Sequence, residues 1–178
     1  MMRWFPFAIL LYLTTVLQTA FAPFIAIHTV QPDLMVILAV YYAMHARRYD
    51  ALIACWIIGL VTDLAGTSYT DLGYSNLGVS ALGLGLLGLV IVNLRELTFR
   101  ESGASQLLTT FLAKLCLNLI VGSHMLYVID DMGRFGDVFT VAFWQATYTA
   151  ALALYGYWIL KQLRFILGVG LAEGIRTR

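Results

Sequence analysis

Apolar residues run along this chain in long blocks, not in the alternation of a half-buried strand or the single stripe of a water-facing helix. The blocks 4–27, 75–93, 105–129 and 138–160 each approach or exceed the length that crosses a bilayer, since a helix rising ~1.5 Å per residue needs about 20 apolar residues to traverse ~30 Å of hydrocarbon. Two shorter blocks, 33–46 and 50–66, are divided by His45-Ala46-Arg47-Arg48-Tyr49-Asp50. They can cross if Arg47 and Arg48 snorkel and the helix ends recruit loop residues, or they can form a shallow re-entrant hairpin. The pattern predicts an all-α membrane protein, a bundle of six transmembrane helices in one domain spanning residues 1–178. Residues 161–178 are expected as an amphipathic tail on the cytoplasmic membrane surface, although Gly168, Gly170 and Gly174 weaken its helical tendency.

Composition sharpens the class. With 61% apolar and only 12% charged residues, the chain lacks the charged surface a water-soluble domain of this size requires. A net charge of +1 without a basic stripe excludes nucleic acid as a partner. Arg3 ahead of an apolar run ending in Ala20-Phe21-Ala22 resembles a secretory signal, but Pro23 would directly follow the scissile bond and the apolar run continues past it, so the segment reads as a retained span.

Basic residues set the expected orientation, because short cytoplasmic loops are enriched in Lys and Arg. Six spans with the N-terminus inside place Arg3, Arg47, Arg48, Arg95, Arg100, Lys161, Arg164, Arg176 and Arg178 on the inner side. Arg134 then lies outside among Asp33, Asp71, Asp130, Asp131 and Asp137. Both termini are therefore expected in the cytoplasm. Trp4, Phe5 and Phe7 in the first span and Tyr155, Tyr157 and Trp158 in the last read as interfacial aromatic anchors.

Candidate functional residues are few. Pro32 is expected to open the second helix at its first turn with Asp33 beside the helix N-terminus, either as a capping pair alone or as a partner contact. Gly78, Ala81, Gly85 and Gly88 line one face of the fourth span, where another helix can approach closely, within this chain or from a partner. Ionisable residues inside spans are costly and face bundle interiors. Asp63, near the outer end of the third span, and Lys114, near the middle of the fifth with Asn118 one turn further, are the candidates. Their depths suggest a Lys114–Asp63 ion pair; the plainer alternative leaves Asp63 in the headgroup region with Lys114 snorkelling. Cys55 and Cys116 read as packing residues, and His28, His45 and His124 have no partner at ligand spacing. No catalytic constellation, phosphate loop, metal site or cofactor motif is present, which argues against an enzyme.

Gln31-Pro32-Asp33-Leu34, then Arg47-Arg48, then Gly59-x-x-x-Asp63-Leu64-x-Gly66, followed by Leu72-Gly73 and Asn76, together resemble the rod shape-determining protein MreD family. The family's motif falls on Pro32, Asp33, Gly59, Asp63, Gly66, Gly73 and Asn76. The resemblance implies a non-enzymatic membrane subunit of the bacterial cell-elongation complex in the inner membrane. Such a subunit binds MreC and acts alongside MreB and the glycan synthase and transpeptidase pair in side-wall peptidoglycan synthesis. It also implies a fold similar to the substrate-binding subunits of energy-coupling-factor transporters, and hence an alternative function as a vitamin-type transport subunit. Docking of a partner's single helix on the bundle through small residues is the expected mechanism.

Overall fold

The computed structural model describes residues 3–27, 30–65, 78–95, 103–129 and 135–167. They form six helices in the order α1 (Trp4–Ala20), α2 (Leu34–His45), α3 (Arg48–Leu64), α4 (Val79–Leu94), α5 (Gly103–Ile129) and α6 (Phe135–Leu167). No strand occurs among the described residues; Ile27 and Val30 form one isolated bridge. Residues 66–77, which include Gly66, Gly73 and Asn76, and residues 168–178 lie outside them.

Several helix bounds differ from the apolar blocks, each for a local reason. Helix α1 stops at Ala20, well short of Ile27. Pro23 supplies no N–H and disfavours helical geometry at Ala22 before it, so the chain turns over residues 21–25. Pro32 does not open α2; Asp33, in extended conformation, is its N-cap, and Pro32 precedes it. Helix α6 runs on to Leu167, so the first residues of the expected tail continue the last helix.

The architecture centres on α2. Its sequence is apolar on every side, and from Met35 to Met44 every residue is buried, as a helix surrounded by protein must be. It packs against each of the other helices, while α3 pairs most closely with α4 and α5 with α6. Helix α1 is the most peripheral and buries just Phe7, Leu11 and Gln18. Phe7 is thus a core residue, edge-on to Tyr42 at 5.0 Å. Tyr157 is also fully enclosed. Neither is the interfacial anchor expected of it, whereas Trp4, Phe5, Tyr155 and Trp158 are exposed.

The outer surface carries large apolar side chains, among them Leu82, Leu86, Trp56, Trp144 and Tyr12. An exposed apolar belt of this extent suits hydrocarbon better than water. Hydroxyls on the helices bond to their own backbones: Thr14 and Thr15 donate to the carbonyls of Leu10 and Leu11 at 2.8 Å, and Thr147 to Phe143 at 2.9 Å. Polar side chains are thereby satisfied without water. Gly103–Tyr127 is long and apolar enough to cross a bilayer by itself; Trp4–Ala20, Leu34–His45 and Val79–Leu94 are apolar but shorter.

A close backbone approach joins α3 to α4. A Cβ on Gly59 would lie 2.5 Å from the Ala81 Cα and 2.7 Å from the Ser80 carbonyl oxygen, both backbone atoms that cannot move aside. Along the same seam, a Cβ on Gly85 would meet Trp56 at 3.1 Å and one on Gly88 would meet the Cys55 Sγ at 2.8 Å. The small-residue face of α4 is therefore filled by α3 of the same chain. Gly78 does not belong to that face: it is the N-cap of α4 with φ 95°, and its place is a left-handed turn.

Gly59→Ala is expected to destabilise the protein by about 1–3 kcal/mol through overpacking. Gly136→Ala, in open space on α6, should be neutral or slightly stabilising. Thermal unfolding of the detergent-solubilised variants separates the two. The enclosed Tyr42 hydroxyl has no hydrogen-bond partner among the described residues, whereas the Tyr157 hydroxyl bonds Thr110 at 2.6 Å. Tyr42→Phe should accordingly leave stability unchanged or raise it, and Tyr157→Phe should lower it by about 1 kcal/mol.

Candidate functional site at the head of the central helix

A helix whose first turn is enclosed must find partners other than water for its leading N–H groups. At α2 they are all supplied. The Leu34 N–H donates to the Gln18 side-chain oxygen at 2.7 Å, and the N–H groups of Met35 and Val36 both donate to Asp33 Oδ1 at 3.1 Å. Ile37 closes the turn onto the Asp33 carbonyl. The segment leading into the helix is held just as firmly. Gln18 Nε2 donates to the Pro32 carbonyl at 3.0 Å, Gln145 Nε2 to that of Gln31 at 3.0 Å, and the Asp33 N–H donates to Thr149 Oγ1 at 3.1 Å.

The second carboxylate oxygen of Asp33 receives Lys114. Nζ lies 2.6 Å from Oδ2, and the two side chains are 5% and 12% exposed, so the pair sits in a low-dielectric interior where neither charge tolerates loss of the other. Four residues after Lys114 on α5, Asn118 donates to Gln145 Oε1 at 2.9 Å and to the Ala142 carbonyl at 3.4 Å. Side chains from α1, α5 and α6 thus converge on one four-residue segment. Beside them lies a cavity of about 40 Å³, bordered by Gln18, Asp33, Thr62, Lys114, Asn118 and Gln145 among others.

Asp63 is not Lys114's partner. From the last turn of α3 its carboxylate reaches the start of α4, where it accepts the N–H groups of Gly78 at 2.9 Å, Ala81 at 3.0 Å and Ser80 at 3.2 Å. Three backbone donors at a helix N-terminus stabilise a carboxylate there, and Lys114 finds the acid that lies across the bundle from it. Pro32, Asp33, Lys114 and Asn118 therefore come together in one cluster. Gly59, Asp63, Gly78, Ala81, Gly85 and Gly88 form the separate α3–α4 seam, and Gly66, Gly73 and Asn76 lie outside the described residues.

Four contributors escape a search restricted to charged residues and small-residue spacings. Gln18, Gln145 and Thr149 are buried polar side chains in otherwise apolar helices, and their cost in such a setting is the signal that marks them. Arg95, counted among inner-loop charges, instead directs Nη1 onto the carbonyls of Ala43 and Ala46 at the far end of α2. His45 Nδ1 meets the Tyr41 carbonyl at 3.0 Å. Chemically the cluster joins and orients helices; among the described residues no three His, Cys, Asp or Glu side chains group to hold a metal.

Lys114→Met leaves the Asp33 carboxylate buried and unpaired, and is expected to cost about 3–5 kcal/mol. Combining it with Asp33→Asn should cost less than the sum of the single changes, whereas Lys114→Met and Asp63→Asn should combine additively. Denaturant or thermal unfolding of the two double-mutant cycles provides the check.

No curated protein and no solved structure matches the chain. A family model does: the one described as rod shape-determining protein MreD matches residues 1–166. Over residues 1–166, from α1 through the Asp33–Lys114 cluster and almost to the end of α6, the chain belongs to the MreD family of membrane proteins, whose role is the determination of rod shape.

Proposed function

We propose that this protein is a non-enzymatic scaffold subunit of the bacterial cell-elongation complex. In this reading it lies in the inner membrane as six crossings with both termini in the cytoplasm and binds MreC through transmembrane or juxtamembrane contacts. It works alongside MreB and the glycan synthase and transpeptidase pair that build side-wall peptidoglycan. The observation that carries the reading is the family match over residues 1–166. The polar chemistry agrees with it: the clustered amides, carboxylates and the lysine bond to backbone ends and to one another, which is the work of a rigid framework. Orientation draws support from the basic residues of the expected inner loops. It draws support too from the Arg3 N–H lying 3.4 Å from the Leu167 carbonyl, which brings the start of α1 and the end of α6 to one end of the bundle.

The competing reading, a vitamin-type transport subunit with a fold like that of energy-coupling-factor substrate-binding proteins, requires a cavity of about 300 Å³ or more for its ligand. The polar cavity beside Lys114, at about 40 Å³, is too small to be that site.

Co-purification of the tagged chain from its own membranes in mild detergent, with mass spectrometry of bound proteins and small molecules, is expected to recover MreC. Recovery of ATPase subunits or of a stoichiometric vitamin would replace the scaffold reading with the transport one.

A further inference from the structure

An ammonium group carries three N–H donors, and Lys114 directs one of them to Asp33. Among the described residues no other acceptor bonds its Nζ, although the side chain is 5% exposed. Asn118 repeats the pattern. Its Nδ2 is used on Gln145 and Ala142, and among the described residues nothing donates to its Oδ1. Both residues border the cavity of about 40 Å³. Unfilled donors on a buried cation are costly, and a dry cavity is expected only where the walls are apolar.

The size and charge of the space select the occupant. At about 10–15 Å³ per water, it holds about three such molecules. An anion drawn to Lys114 would meet the Asp33 carboxylate, and the positive charge a cation would bring is already supplied by Lys114. Gln31 also borders the cavity and is exposed, so the space reaches the surface where the chain enters α2.

We propose that this cavity is a hydration site: about three waters, exchanging with solvent past Gln31, complete the hydrogen bonding of the buried Lys114 ammonium and of Asn118 Oδ1 inside an apolar bundle. Leu117 and Val121, one and two turns beyond Lys114 on α5, are buried but line this space. Val36 and Leu84 are buried too, at 0% and 2% exposed against 3% and 7% for Leu117 and Val121, and do not border it.

Radiolytic hydroxyl-radical labelling, read by mass spectrometry on the full chain in lipid nanodiscs, tests the site, because radicals form where water resides. Leu117 and Val121 are expected to oxidise several-fold faster than Val36 and Leu84. In Asn118→Leu, which puts an apolar branch into the cavity, their labelling should fall toward that of the two reference residues. Equal labelling of all four residues in the unmodified protein would overturn the proposal. So would undiminished labelling of Leu117 and Val121 in a folded, monodisperse Asn118→Leu variant.

Discussion

A helix of 12 residues, about 18 Å long, stands at the centre of this bundle, and both of its ends are largely enclosed by the helices around it. Such a helix leaves leading N–H groups and trailing carbonyls in an interior that holds little water, where each unsatisfied group would cost several kcal/mol. The polar residues of the surrounding helices are placed to meet that demand. Gln18 from α1, Thr149 from α6 and the Asp33–Lys114 pair with α5 secure the head of α2; Arg95 at the end of α4 secures its foot. An interior charge pair is rarely a net gain over well-packed apolar side chains. Here the carboxylate has two tasks at once, accepting two backbone N–H groups through Oδ1 and the lysine through Oδ2, so it couples the capping of one helix to the position of another.

The same device recurs between α3 and α4 in a different form. Asp63 gathers three N–H groups at the start of α4, and Gly59 lets the backbones come within contact just beside it. A carboxylate that fixes the angle and a glycine that fixes the distance define the crossing of these two helices. This accounts for their occurring four residues apart on one turn of α3: the side chain that reaches across and the position that must have none face the same neighbour.

How much of this was legible beforehand depends on the kind of residue. Asp33 after Pro32 is a local signal of a helix start, but it leaves a cap and a partner contact both open and suggests Pro32 as the first helical residue, whereas Asp33 itself is the N-cap. Lys114 and Asn118 stand out because charge and amide groups are costly in an apolar helix. Their partners do not stand out, since position along a helix fixes depth but not azimuth: Asp33 and Asp63 both lie toward the same end of the bundle, and which one faces α5 depends on how the helices pack. Tyr157 failed for a related reason. An aromatic residue with a hydroxyl near a helix end suits the membrane interface, but this one faces α5, where Thr110 accepts or donates its hydrogen bond. Gln18, Gln145 and Thr149 are legible in principle, as uncharged polar residues within apolar runs, although charge alone does not mark them.

The packing also changes how a partner helix would meet this protein. Small residues on α4 invite close approach, and on sequence grounds they could have served a partner; α3 occupies them through Gly59, Cys55 and Trp56. What α4 turns outward is Leu82, Leu86, Leu89 and Val90, and what α1 turns outward is Phe5, Ile9, Tyr12 and Val16. A helix docking on either face meets large side chains, so its axis would lie at the wider separation of ordinary ridge-and-groove packing and not at the short distance that glycines permit. Association of that kind depends on complementary shape over many contacts. For the scaffold role proposed above, a rigid framework would then be a requirement, and the polar cluster that fixes the ends of the central helix is suited to meet it.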